Sequence, residues 1–334
     1  MCFFRMDDIM KIGVVIATYN GEKYISEQIN SIIAQTRKPN YIVVSDAGST
    51  DATVGICKNM LSQDSTIEYT VLESNVQLGV AENFQKGLLH CECDYVFFAD
   101  QDDVWLPNKI STFIDIMERN DVAFAFSNAE IVDENLNSVN KSLWESINYS
   151  QEKAYCIYEK EDYRFVKELI RHNIVTGMCM CARKDLVNKI VPFDSEVLHD
   201  TWIAMNAALK VKTIAIAQKL VLYRQHQGNV IGTNTGIGKK LSRSSSYYLR
   251  VLNRKKMIKM IIDSNNIHNN EIKELLNNYY NFQIHRLQFM KRHLGFLWAI
   301  KNRERYLKLA SDGKDILIKD YFIRITGLLE RGKE

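Results

Sequence analysis

Three carboxylates end a short apolar run. Residues 95–99 read Tyr-Val-Phe-Phe-Ala and are followed at once by Asp100, Gln101, Asp102 and Asp103. Five largely apolar residues have the length of a buried strand. Carboxylates gathered at its carboxyl end repel one another, so the arrangement costs stability unless a cation sits among them. Asp100 and Asp102, two positions apart, offer oxygen ligands on one side of an extended segment. That suits a hard divalent ion which keeps part of its shell for waters and substrate phosphates. The competing reading is a polar loop whose acids favour the start of a helix near Pro107. Asp200 carries a similar ambiguity: it sits where a loop gives way to an apolar helix, at or near the N-cap position.

Such groups need elements that bring them together. Residues 11–18 read as a buried strand, and Tyr19-Asn20-Gly21 turns it into a helix reaching about Gln35. A second strand, 41–45, runs into Asp46-Ala47-Gly48-Ser49-Thr50-Asp51, with Ser49 or Thr50 placed to cap the next helix. A third strand spans 68–72, and a helix follows Asn75 and Gly79. The fourth strand is 95–99. Strand and helix alternate, with near-continuously apolar strands, which predicts a mainly parallel central sheet flanked by helices. Ligands bind such sheets beyond the carboxyl ends of the strands. Tyr19, Asp46, Asn75, Asp100 and Asp102 all fall there. No Gly-x-Gly-x-x-Gly follows the first strand and no Walker motif is present, which argues against a dinucleotide or P-loop site.

After Glu118 the order changes. Residues 122–126 and 129–132 look like two strands, and 141–163 are too irregular to assign. Residues 173–181 read as a strand with Gly177 inside it, where a glycine lets a ligand or another backbone approach. Residues 213–223 form another strand, followed by Arg224, Gln225 and His226.

The chain has 334 residues, 46% of them hydrophobic and 25% charged, an ordinary globular composition with only three prolines. Its formal net charge of +3 hides an asymmetry: from Lys239 onward there are 21 Lys and Arg against 9 Asp and Glu. The expected division is therefore a first domain over residues 1–235 and a helical, basic region over 239–334. No recognised nucleic-acid module accompanies the basic charge, so nucleic acid is not the expected partner. Seven cysteines and an N-terminus too short and acidic for a signal peptide suggest free thiols in a reducing compartment. The expected location is cytoplasmic, or peripheral on the inner face of the plasma membrane.

Six motifs taken in order carry a resemblance. They are Ala17-Thr-Tyr-Asn-Gly21, Asp46-Ala-Gly-Ser-Thr-Asp51, Asn75-x-x-x-Gly79, Asp100-Gln-Asp-Asp-Val-Trp-Leu-Pro-x-Lys109, His199-Asp-x-Trp202 and Tyr223-Arg-Gln-His226. Together they resemble family 2 glycosyltransferases of the GT-A fold, and most of all the bacterial rhamnosyltransferase-like members that build capsular and cell-wall polysaccharide. The resemblance covers about residues 10–235. It implies that Thr18, Tyr19, Asn20, Asp46, Asn75 and Asp100 hold the donor nucleotide. It also implies that Asp102 holds Mg2+ or Mn2+ on the diphosphate with Asp103 as a second candidate ligand, and that Asp200 is the general base. Gly177 resembles the acceptor-side strand. The implied partners are a nucleotide-diphosphate sugar, dTDP-rhamnose by the rhamnosyltransferase-like resemblance, and a glycan or lipid-linked acceptor.

The family commonly has two adjacent aspartates where this chain has Asp46-Ala47, which keeps a second reading open: a catalytically silent nucleotide-sugar-binding or scaffold subunit. Other residues also carry paired readings. Arg224 and His226 are diphosphate or metal ligands, or else an ion-pair partner and a structural histidine. Trp105 and Trp202 face sugar or fill the core. Residues 228–238 form a loop over the donor or a linker. Between Lys239 and Met260 eight Lys and Arg occur with no acid, interleaved with apolar residues. Such a segment can lie on an anionic membrane surface, each basic residue adding about 1 kcal/mol, or can pack as an ordinary helix. The membrane reading predicts flotation with anionic vesicles at low salt and release at high salt. No flotation at low salt removes it.

Overall fold

The computed structural model describes residues 10–150, 153–171, 174–195, 197–226, 239–263, 267–291, 296–302, 304 and 320–321. Four parallel strands form the first half of one sheet: β1 (Ile12–Thr18), β2 (Tyr41–Asp46), β3 (Glu68–Leu72) and β4 (Tyr95–Asp100), in the order β3-β2-β1-β4. Helices α1 (Ile25–Ile33), α2 (Thr53–Leu61) and α3 (Val80–Leu89) make the crossovers. β1 is buried almost throughout, which is why its sequence is continuously apolar rather than alternating. Register does the positioning: Thr18 pairs with Asp46 and Ala17 with Asp100, so three strand ends finish level at one edge of the sheet.

Beyond β4 the sheet is mixed. The chain passes through β5 (Val104–Trp105), α4 (Lys109–Asn120), β6 (Phe124–Val132), β7 (Ser138–Ser142), α5 (Leu143–Ser146) and β8 (Tyr155–Tyr158). After α6 (Tyr163–Arg171) come β9 (Met180–Arg183), α7 (Lys184–Asn188), α8 (His199–Lys210) and β10 (Thr213–Arg224). β9 runs antiparallel to both β4 and β6, and β6 runs parallel to β10. The ten-stranded sheet reads β3-β2-β1-β4-β9-β6-β10-β5, with β7 added on β6 and β8 on β10.

Three expectations change. The two strands expected at 122–126 and 129–132 are one, β6. Its buried Ser127 and Asn128 do not break it because their polar atoms are satisfied on the spot: the Ala129 and Trp144 amides donate to Asn128 Oδ1, and Ser127 Oγ donates to the Asn128 carbonyl. The strand expected across 173–181 is a 3-10 turn, Gly177–Cys179, followed by β9. Residues 141–163, irregular in sequence, contain α5, closed by a capping box between Ser142 and Glu145, and β8.

Chain contacts define two compact units, residues 1–160 with 175–226, and residues 161–174 with 227–334. In the second, α6 and α9 (Lys239–Asp263) pack on α10 (Asn270–Met290), and α11 (Phe296–Lys301) follows. Its interior includes Phe165, Ile258, Leu276 and Phe282, with Asp320 held by two nitrogens of Arg286 at 2.8 and 2.9 Å. The proposed donor loop at 228–238 lies outside the described residues, as do the side chains of Lys239, Lys240, Arg243 and Arg250 in the basic segment.

One close approach fixes how α3 sits on the sheet. A methyl group on Gly87 would fall 2.6 Å from Val15 Cγ1 and 3.1 Å from Ser45 Cβ, both on central strands. Since neither backbone can retreat from a packed sheet, Gly87→Ala should destabilise the protein by roughly 1–3 kcal/mol. Urea unfolding measures it; an unchanged midpoint would show that α3 can lift off β1 and β2 at no cost.

Candidate active site

The loops after β1 and β2 are zipped together by side chain to backbone bonds. The Asn20 amide donates to Ser49 Oγ at 2.8 Å, and the Thr50 amide returns a bond to Asn20 Oδ1 at 2.9 Å. One step on, Gly21 N donates to Thr53 Oγ1 and Glu22 N to Asp51 Oδ2, while Ala52 N donates to Glu22 Oε2. Asn20 sits at φ +46°, which asparagine tolerates better than most residues. Asp51, rather than Ser49 or Thr50, serves the start of α2, accepting from Thr53 N at 3.0 Å.

Asp46 is buried at this junction. Its carboxylate accepts from Thr18 Oγ1 at 2.8 Å, from Gly48 N and Ser49 N at 3.0 and 2.7 Å, and from Ser49 Oγ at 2.5 Å. Ala47 beside it is also buried and donates its amide to the Thr18 carbonyl. Asn75 is exposed in the loop after β3, and the Ser74 and Val76 carbonyls of that loop back onto Gly48, whose φ of +88° suits glycine. Tyr19 projects at the same edge, 39% exposed.

Gln101 ties this pair of loops to the acidic turn. Its side-chain oxygen accepts from Tyr19 N at 2.8 Å and its nitrogen donates to Tyr19 O at 3.1 Å. A Cβ on Gly21 would fall 2.2 Å from that oxygen, so the clamp needs glycine there. The sequence signal for Gln101 was present, since it lies between two candidate ligands, but its reach back to Tyr19 was not foreseen.

The acidic turn is fastened from β10. Arg224, 2% exposed, donates Nε to the Asp102 carbonyl at 2.8 Å and Nη1 to the Glu134 carbonyl at 2.6 Å. It also pairs with Glu27 of α1 and lies over the Tyr24 ring at 4.6 Å. Its own amide donates to Asp103 Oδ1 at 3.0 Å. His226 Nε2 lies 2.8 Å from Asp102 Oδ2, and its ring sits 4.7 Å from that of Tyr24. Asp102 is partly open, at 16%. Asp103 is buried, and its Oδ2 has no partner among the described residues.

Lys109, which sequence reasoning quoted without giving it a role, is fully buried beneath this turn. It donates to the Met178 carbonyl at 2.6 Å and lies 3.3 Å above the centre of the Trp105 ring. The available signal was its spacing of four from Phe113 on the inner face of α4. Burial lowers Lys109 to about 7, resisted by Cys179 and by Asp103 and Asp100. Burial, then Asp102 and Asp200, push Asp100 up to about 7, while Lys109 pulls it back. Burial also raises Asp103, helped by Asp102 and Asp100.

Asp200 thus belongs to the same electrostatic neighbourhood. It is the second residue of α8, not its cap, which is Leu198. Its Oδ1 accepts from Thr201 N at 2.5 Å and Thr201 Oγ1 at 3.0 Å. His199 is buried, and burial lowers it to about 3. Trp105 is core, and Trp202 is buried with its indole N–H donated to the Ile190 carbonyl at 2.8 Å. Gly177 lies in the turn against His199.

Among the described residues no three His, Cys, Asp or Glu side chains converge as a ready-made metal cage. The donor set fits a cation in another way. Burial, and after it repulsion from the charge of neighbouring aspartates, raises Asp100 and Asp103; Asp103 keeps an oxygen with no partner among the described residues, and Asp102 reaches the surface. A hard divalent ion that completes its shell with substrate phosphates would relieve that repulsion.

The folded carboxyl of Asp100 binds a proton more tightly than the unfolded one, whose ordinary value is 3.8. Stability from this group is therefore present below about 4 and lost as pH rises through about 7. Asp100→Asn should gain stability relative to wild type as pH rises from about 4 to 7, and hold that gain above it. Urea unfolding at pH 5 and 8 checks this; a constant difference would mean that neither burial nor its neighbours raise Asp100.

The family model for glycosyl transferase family 2 matches residues 13–188. The chain is 30% identical to the dTDP-rhamnosyl transferase RfbG of Shigella flexneri, over 68% of this chain and 77% of that protein. It is 31% identical to an Escherichia coli β-1,3-glucosyltransferase, WfgD, named for UDP-Glc and α-D-GlcNAc-diphosphoundecaprenol, over 39% of this chain and 49% of that protein. Among solved structures, Staphylococcus aureus TarS 1-349 in complex with UDP-GlcNAc superposes with a TM-score of 0.62 at 16% identity, covering 96% of this chain and 89% of that one. The fold is therefore GT-A.

Proposed function

We propose, from the premise that this chain belongs to glycosyl transferase family 2, that it moves a sugar with inversion from a nucleotide-diphosphate donor to a hydroxyl of a growing cell-surface or capsular polysaccharide. The observation that carries this reading is the meeting of Asp100, Asp102, Asp103 and Asp200 in one electrostatic neighbourhood at the carboxyl ends of the parallel strands. L-Rhamnose from dTDP-rhamnose is the best-supported donor, on the likeness to RfbG. A lipid-linked acceptor is supported by the likeness to the E. coli protein.

In this reading Thr18, Tyr19, Asn20, Asp46, Asn75 and Asp100 form the donor nucleotide side. Asp46 acts largely by fixing the Gly48–Ser49 backbone, since that backbone, Thr18 and Ser49 occupy its oxygens. Asp102, steadied by His226, and Asp103 would hold Mg2+ or Mn2+, which when bound offsets the charge of the departing diphosphate. Arg224 anchors the turn rather than the diphosphate, because its guanidinium is already spent on Asp102, Glu134 and Glu27. The acceptor hydroxyl attacks the anomeric carbon and passes its proton to the Asp200 carboxylate as the nucleotide diphosphate leaves from the opposite face. An α-L-rhamnoside follows from a β-linked dTDP-rhamnose.

The site of action we infer is the cytoplasm, with peripheral seating on the inner membrane surface through the basic segment after Lys239. Among the described residues no helix is long and apolar enough to cross a membrane.

The test incubates the full chain with dTDP-, UDP- and GDP-sugars in Mg2+ or Mn2+, with and without chelator, and measures nucleotide diphosphate released. Turnover should favour dTDP-rhamnose and stop reversibly in chelator; full activity in excess chelator removes the metal. Asp200→Asn should lower transfer on the order of 10² to 10⁴ with donor affinity nearly unchanged. Binding of a donor with no turnover of any would favour a silent subunit, the reading that Ala47 keeps open.

A further inference from the structure

The Gly177–Cys179 turn is held from two sides. From below, Lys109 donates to the Met178 carbonyl at 2.6 Å, and Lys109 ends the motif that begins with Asp100. From above, the His199 ring lies against the bare Cα of Gly177. A methyl group there would fall 2.6 Å from His199 Nε2 and 2.9 Å from Cε1. The ring cannot swing away, because it stacks on Phe84 at 3.9 Å and lies 5.9 Å from Phe98, both fully buried. Neither ring nitrogen has a hydrogen-bond partner among the described residues, so shape rather than polarity seats this side chain.

His199 opens α8, and Asp200 follows it in the same first turn. Whatever sets the ring sets the start of that helix, and with it the carboxylate. We infer that Gly177 and His199 form a size-matched positioning pair which, with the turn pinned by Lys109, fixes Asp200 relative to the acidic turn that binds the donor. Neither residue need touch substrate. The inference rests on the reading of Asp200 as the base. A displacement of about 1 Å at a reacting group can cost on the order of 10²-fold in rate.

The test is a size swap in the full chain, with transfer rate and donor affinity measured separately. Gly177→Ala should lower kcat by about tenfold or more while donor Kd stays within about twofold. His199→Val removes the outer ring atoms without losing a hydrogen bond, so Gly177→Ala with His199→Val should recover most of the lost kcat. In an Asp200→Asn background Gly177→Ala should cost nothing further, because both changes act on one group. A purely structural glycine would give neither the recovery nor the non-additivity.

Normal kcat in Gly177→Ala, no recovery in the pair, or full additivity with Asp200→Asn would each overturn the positioning role. Near-normal transfer by Asp200→Asn alone overturns the base reading and, with it, the target of the positioning; a failed swap with an impaired Asp200→Asn overturns the positioning only. Should Gly177→Ala not fold, His199→Phe presses a larger ring on Gly177 from the other side. It should show the same kcat loss, retained donor affinity and non-additivity.

Discussion

The first unit depends on one ammonium group kept out of water. Lys109 lies over the Trp105 ring, within electrostatic reach of Asp100 and Asp103, with the Met178 carbonyl as its hydrogen-bond acceptor. A lone buried charge of this kind is costly, and so is a cluster of carboxylates, but each lowers the cost of the other. Lys109 pulls the raised carboxyls of Asp100 and Asp103 back down, and they in turn resist its own lowering. Because Lys109 also holds the turn that packs against His199 at the start of α8, the same residue links the acidic turn to that helix.

Around that charge the architecture works by level strand ends and reciprocal loop bonds. Register alone puts Thr18, Asp46 and Asp100 side by side. The loops then lock through bonds that run both ways, from Asn20 to Ser49 and from Thr50 back to Asn20, and from Gln101 to both polar groups of Tyr19. Such paired bonds leave few backbone groups unsatisfied and limit the conformations open to an otherwise irregular segment. A donor would then meet a surface that is largely preformed, with little ordering left to oppose binding.

Much of this was legible in the sequence, for physical reasons that can be named. Buried parallel strands read as continuous apolar runs, so β1, β2 and β4 were plain, and each ended on polar residues that the register makes neighbours. Contacts between distant segments were not legible. The 173–181 stretch has strand composition, but residues 177–179 turn, held by Lys109 about seventy positions earlier and by His199 about twenty positions later. Ser127 and Asn128 looked like a break in β6 because their partners, including the Trp144 amide, are invisible to a local pattern. Arg224 and His226 carry two readings each in sequence, and their contacts with Glu27, Asp102 and Tyr24 were not legible there.

The Arg224 fastening also bears on the order in which the protein is made. Its partner Glu27 precedes it by 197 positions, and His226 follows Asp102 by 124. While the chain emerges from the ribosome, the parallel strands can pair and Gln101 can clamp Tyr19 early, but the acidic turn must wait for the end of β10 for its contacts with Arg224 and His226. During that interval the turn carries its repelling carboxylates without the guanidinium that ties them down. The nascent first unit therefore lacks this fastening until residues 224–226 have been made.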